Sequence, residues 1–149
     1  MNKFLFLDID GVLNCKADFE RENRWDIIES IKFDRFMRII NQVNPKIIIH
    51  STWRFHPEAK EIVNKLFASV KITNYIWLES NHKGSYFEKA EDISIWLMNN
   101  SNGRDDKIAI IDDDFLWEHP CFESVFHVQT NFNNGLQEEH VQKVIELLK

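Results

Sequence analysis

The apolar run Phe4 to Ile9 carries Asp8 and is followed at once by Asp10 and Gly11. In extended chain, residues two apart point the same way, so the two carboxylates start on one side of a strand end. Two carboxylates held close repel one another unless a proton or a cation lies between them, which makes Mg²⁺ a natural companion. Gly11 lets the backbone turn sharply there. A second acidic group, Asp112-Asp113-Asp114, follows another apolar run, Lys107 to Ile111. Alone it reads equally as a solvated turn or a helix start. Its place after a buried strand makes the two clusters together, Asp8 and Asp10 with Asp112 to Asp114, the candidate oxygen donors to a hard divalent cation.

A third strand-like run, Lys46 to His50, leads into Ser51-Thr52-Trp53-Arg54. A hydroxyl and a backbone N–H at a strand end can hold a phosphate oxygen, and Arg54 can add a charge-assisted contact. Either Ser51 or Thr52 fits that role, and the plainer alternative is a helix cap. Lys89 opens a helical pattern, where a cation does not complement the helix dipole. That misplacement hints at use, with Lys83 beside Gly84 as its competitor. The tryptophans Trp25, Trp53, Trp77, Trp96 and Trp117 are expected mainly in cores and rims. Trp25 and Trp53, which flank the motif-bearing loops, are the favoured candidates for stacking on a base. The six histidines have no metal-binding spacing, and His50 is expected as a hydrogen-bonded core residue.

These side chains need a scaffold. Phe4 to Ile9, Lys46 to His50 and Lys107 to Ile111 are nearly continuous apolar runs, the pattern of strands buried on both faces. Val125 to Val128 and Tyr75 to Leu78 add two further strands. Helical stripes lie between them: Phe33, Phe36, Met37 and Ile40; Ala59, Ile62, Val63 and Leu66 behind Pro57; Ala90, Ile93 and Leu97; and Val141, Val144, Ile145 and Leu148. Strands alternating with helices predict a three-layer α/β fold with a mostly parallel central sheet. In such folds ligands bind beyond the carboxyl ends of the strands, where the polar residues above fall.

Composition narrows the function classes. The 149 residues are 44% hydrophobic, with 4 Gly and 3 Pro scattered and no linker or repeat, so one domain over 1–149 is expected. A formal charge of −6 argues against sequence-independent attraction to a phosphate backbone, while leaving room for a local basic pocket. Cys15 and Cys121 have neither metal-ligand spacing nor the look of a disulfide framework, and are expected as reduced thiols in a cytoplasmic protein. Asp8 and Asp10 cut short the apolar run after Lys3, so it is no secretory segment, and no other stretch is a membrane span.

The order Asp-x-Asp-Gly-Val (Asp8 to Val12), Ser51-Thr52, Lys89 and Asp112-Asp113 resembles the four motifs of the haloacid-dehalogenase (HAD) superfamily. The resemblance covers nearly the whole chain. The details Asp10-Gly11-Val12-Leu13-Asn14, Ser51-Thr52-Trp53-Arg54 and the stretch Thr130 to Leu136 are similar to a small, cap-poor branch that includes domains associated with RNA repair. It implies a Rossmann-like fold without a large cap and a Mg²⁺-dependent phosphomonoesterase working through an aspartyl-phosphate. Asp8 is then the nucleophile and Asp10 the acid and base. Mg²⁺ is held by Asp8, the Asp10 carbonyl, Asp112 and Asp113, while Ser51 and Lys89 hold phosphoryl oxygens. The intervals Cys15 to Ile31 and Asn74 to Phe87 leave room for only a small flap and a strand with a loop, which suits a bulky substrate such as a nucleotide or nucleic-acid end. An RNA-repair-type protein partner is a further implication; the oligomeric state is not legible.

Three rival readings remain. A phosphoacceptor receiver domain has similar groups on a similar sheet, but places its paired acids on the first strand and its phosphorylated Asp on the third. A phosphate- or nucleic-acid-binding module that has lost turnover keeps the fold, yet every position expected to act here holds a competent residue. A phosphotransferase differs only in passing the phosphoryl group to an alcohol instead of water.

Overall fold

Side chains alternate in direction along a strand, so each apolar run feeds two cores at once. In the computed structural model, which describes residues 1–80, 86–103, 105–114 and 126–149, five strands form one sheet. They are β1 (Lys3–Leu7), β2 (Lys46–Ile49), β3 (Tyr75–Trp77), β4 (Lys107–Asp112) and β5 (His127–Gln129), in the order β3-β2-β1-β4-β5. Every pairing is parallel, with Leu5 opposite Ile47 on one side and Ala109 on the other. The expected α/β fold with its parallel sheet is what the chain adopts.

Leu5, Leu7, Ile47, Ile49, Ala109 and Ile111 face one core. It is closed by α2 (Ser30–Val43), α3 (Pro57–Ser69) and α5 (Glu138–Leu148), through Phe33, Phe36, Ile39, Val63, Phe67, Val141 and Val144. Phe4, Phe6, Ile48 and Ile110 face the other core, where α4 (Tyr86–Asn100) contributes Ile93, Trp96 and Leu97. Trp96 stands edge-on to Phe4 and Phe6, at 5.0 and 5.6 Å between centroids. Pro57 opens α3, as its fixed φ and missing N–H favour.

The boundaries differ from expectation at the site. β1 stops at Leu7 rather than Ile9, because the Ile9 carbonyl turns back to accept the N–H groups of Val12 and Leu13. β4 runs on to Asp112. The flap expected between Cys15 and Ile31 holds a short helix, α1 (Lys16–Glu22), whose buried side chain is Asp18. Asp18 accepts from the Cys15 N–H at 2.8 Å and pairs with Arg21 at 3.0 Å and Lys32 at 3.3 Å. Among the described residues no helix is long and apolar enough to cross a membrane. Val125, Lys83, Trp117 and Cys121, and the middle of the Asn74 to Phe87 interval, lie outside the described residues.

Candidate active site

Asp8 sits one residue beyond β1, and its N–H still bonds the Ile111 carbonyl at 3.0 Å, so the central strand and β4 fix its backbone together. Gly11 turns the chain with φ +76°, and a Cβ there would stand 2.4 Å from Asp113 Oδ2. Only glycine meets both conditions. The turn is held from the far end of the chain: Thr130 donates its hydroxyl to the Gly11 carbonyl at 2.6 Å, and the Leu136 N–H bonds the Val12 carbonyl at 2.9 Å.

The structure brings Asp8, Asp112, Asp113 and Lys89 together. Lys89 leaves the first turn of α4 with Nζ 3.5 Å from Asp8 Oδ2, 3.4 Å from Asp112 Oδ2 and 3.2 Å from Asp114 Oδ2. Burial works against the ammonium, but Asp8, Asp112 and Asp114 outweigh it and hold Lys89 above its ordinary range. Asp8 is pushed up to about 6, by burial first and the charge of Asp112 second, with Lys89 pulling back. Asp113 is pushed up to about 8 by burial and by the charges of Asp8, Asp112 and Asp114. The cluster therefore carries more negative charge than one ammonium balances.

That excess is the test for a metal. One donor atom each from Asp8, His50 and Asp112 lies within 4.8 Å of the others, as do those of Asp112, Asp113 and Asp114. A set dominated by carboxylates, crowded so that burial and mutual repulsion raise the pKa values of Asp8 and Asp113, fits a hard divalent cation. The donor set thus matches Mg²⁺ chemistry.

Asp10 is positioned differently. Its Oδ1 accepts from Asn14 Nδ2 and from the Trp53 indole N–H, both at 3.0 Å. Asn14 also accepts from the Gly11 N–H at 2.9 Å and donates to the Ile27 carbonyl at 2.8 Å, tying the turn to the flap. Burial holds the Asp10 carboxyl above the usual carboxylate range, against these hydrogen bonds.

Ser51 is fully buried at the end of β2 and caps the one-turn helix Thr52–Phe55, its Oγ accepting from the Trp53 N–H at 3.2 Å. Thr52, the other candidate, is half-buried one position on. Arg54 is buried and donates to Asp92 on α4 at 2.7 Å, bridging this turn to the helix that carries Lys89. A cleft of about 1000 Å³ opens beside it, lined among others by Trp77, Asp92 and Trp96.

Several partners went unassigned in the sequence. His50, with no solvent exposure, bonds Asp112 Oδ2 at 2.7 Å. Burial lowers its pKa to about 3, so the ring is neutral and carries its proton on Nε2 to donate to that carboxylate. This is the hydrogen-bonded histidine expected of an apolar strand. Trp53 overturns its stacking candidacy, because it is fully buried and its polar edge is committed to Asp10. Trp77 is half-buried, bonded to Asn64 at 3.0 Å. Asn14 had a signal, four residues after Asp10 within the motif; Asp92 and Thr130 had none that spacing alone reveals.

A parallel α/β sheet with two acids after its central strand, a lysine entering from a helix and further acids after the adjacent strand defines a HAD-like domain. Over residues 4–141 the chain matches the family described as the HAD domain in Swiss Army Knife RNA repair proteins, and it belongs to that family. No curated protein and no solved structure matches it. The family supports a phosphohydrolase-type role.

Proposed function

We propose that the protein is a Mg²⁺-dependent phosphomonoesterase acting on phosphorylated nucleotides or nucleic-acid ends, with residues 1–149 working as one unit. The observation that carries this reading is the convergence of Lys89 on Asp8 and Asp112 beside Asp10. Asp8 is the nucleophile: its carboxylate oxygen bonds phosphorus as the bond to the leaving alcohol breaks, and Asp10 gives that oxygen a proton. Asp10 then takes a proton from water, which attacks the aspartyl-phosphate and frees Asp8 and inorganic phosphate. With Oδ1 held by Asn14 and Trp53, Oδ2 is the Asp10 oxygen left to exchange that proton.

Asp8, the Asp10 carbonyl, Asp112 and Asp113 would hold Mg²⁺, whose charge offsets the repulsion between a carboxylate nucleophile and an anionic phosphoryl group. Ser51 and Lys89 bind the phosphoryl oxygens, with Thr52 as the alternative hydroxyl. Arg54 acts through Asp92 and α4 as well as through its charge. The family's description supports a nucleic-acid end as substrate and an RNA-repair protein as partner. Buried, free Cys15 suits a reducing, cytoplasmic setting.

Release of inorganic phosphate from p-nitrophenyl phosphate, nucleotides and phosphorylated oligonucleotides, with Mg²⁺ or with EDTA, tests the reading against Asp8→Asn. Magnesium-dependent turnover that the variant lacks is the expected result. A folded wild-type protein that turns over none of them rejects the hydrolase reading. Label transferred to an added alcohol instead of water identifies a phosphotransferase.

A further inference from the structure

Trp25 is 49% exposed, yet its ring is held in place. It stands edge-on to Trp53 at 5.6 Å and 84°, and against His56 at 5.2 Å and 61°. The loop that carries it is pinned on its C-terminal side and braced locally by an ion pair across Trp25. Asn14 donates to the Ile27 carbonyl at 2.8 Å, the Glu29 N–H bonds the Leu13 carbonyl at 2.9 Å, and Arg24 pairs with Asp26 at 2.7 Å. An indole that is half exposed yet already held against two neighbouring rings can take up a stacking partner at little further entropic cost.

Its direction from the chemistry is also set. Trp53, the ring it leans on, donates to Asp10. In the reaction proposed above, Asp10 protonates the leaving oxygen, so the alcohol half of the substrate lies on the Asp10 side of the site. Outward from Asp10 come first the buried Trp53 and then the exposed Trp25. We propose that Trp25 is the stacking platform for the nucleobase on the leaving-group side of a phosphorylated nucleotide or nucleic-acid end. Stacking tolerates any base, since each has a π face, so the site reads the presence of a base rather than its identity. It also answers the chain's net charge of −6, because stacking needs no basic surface.

This inference rests on the phosphomonoesterase reading, and two measurements separate their failures. The first is the ratio of kcat/KM for a base-bearing substrate to that for its base-free counterpart: nucleoside monophosphate against ribose phosphate, and a phosphorylated oligonucleotide against one with an abasic end. Trp25→Ala lowers the ratio about tenfold or more, mainly through KM, and Trp25→Phe restores most of it. The pair with the larger effect tells whether free nucleotides or polymer ends are the substrate. An unchanged ratio in both pairs overturns the platform.

The second measurement needs no turnover. In an Asp8→Asn background, anisotropy of a labelled oligonucleotide with a base-bearing or abasic phosphorylated end reports binding alone. Preference for the base-bearing end, lost with Trp25→Ala and kept with Trp25→Phe, upholds the platform even if phosphate release is absent. Equal binding of the two ends rejects it, whatever the enzyme hydrolyses.

Discussion

The Trp53 indole N–H donates to Asp10 Oδ1 at 3.0 Å from a side chain with no solvent exposure, so a core residue sets the orientation of a site carboxylate. Trp53→Phe keeps most of the volume and removes the donor. Turnover at saturating p-nitrophenyl phosphate should fall on the order of tenfold, about 1.4 kcal/mol in the barrier, with little change in KM. Steady-state kinetics check this. A kcat equal to wild type would show that Asn14 alone orients Asp10.

Lys89 balances charge in a buried acidic cluster. Lys89→Met leaves those carboxylates without their cation, and removing one partner of a buried ion pair typically costs about 3–5 kcal/mol. Thermal melting in EDTA should drop sharply, and Mg²⁺ should recover more stability in the variant than in wild type, because it supplies the missing charge. Phosphatase activity should fall by roughly a hundredfold or more even with Mg²⁺.

Gly11→Ala strains a backbone at φ +76° and drives a methyl into Asp113. The left-handed conformation alone costs roughly 1–2 kcal/mol for a residue with a Cβ. Displacement of Asp113 should add a loss of Mg²⁺ affinity. Calorimetric titration of Mg²⁺ on folded variant reads the second effect separately from the melt.

Asp18 predicts an acid limb in the stability curve. Burial would raise its pKa, but hydrogen bonds from Cys15 and Lys32 outweigh this and hold it below its ordinary value of 3.8. A depressed carboxylate pKa contributes stability that is present above the unfolded value and lost as pH falls through the folded one. Wild-type protein should therefore lose stability below pH 3.8 more steeply than Asp18→Asn, while the variant is less stable at neutral pH. Urea melts at several pH values decide between these curves.

The strands were legible because both faces of each are buried, which leaves continuous apolar runs such as Ile47 to Ile49. The acids were legible because they interrupt those runs at their ends. What was hidden is contact between distant segments. Trp53 reaches Asp10 across 43 residues, and nothing in its local pattern distinguishes a buried indole with a polar partner from an exposed stacking ring. Likewise α1 is short, and its buried residue is Asp18, kept there by Lys32 and the Cys15 N–H; hydrophobic periodicity cannot find a helix anchored by charge. Trp25 and Trp53 looked alike in sequence, yet one is half exposed and the other is buried with its N–H on Asp10.

The strand order puts β1, from which Asp8 emerges, in the middle of the sheet, paired with β2 and β4. Edge strands fray at low free energy, whereas a central strand opens only when the sheet as a whole does. Partial opening at β3 leaves the ladder that anchors Asp8 intact. Loss of the Asp8 anchor thus coincides with global unfolding, and β3 is the edge that can tolerate variation, since β5 leads directly into Thr130, which holds the Gly11 turn.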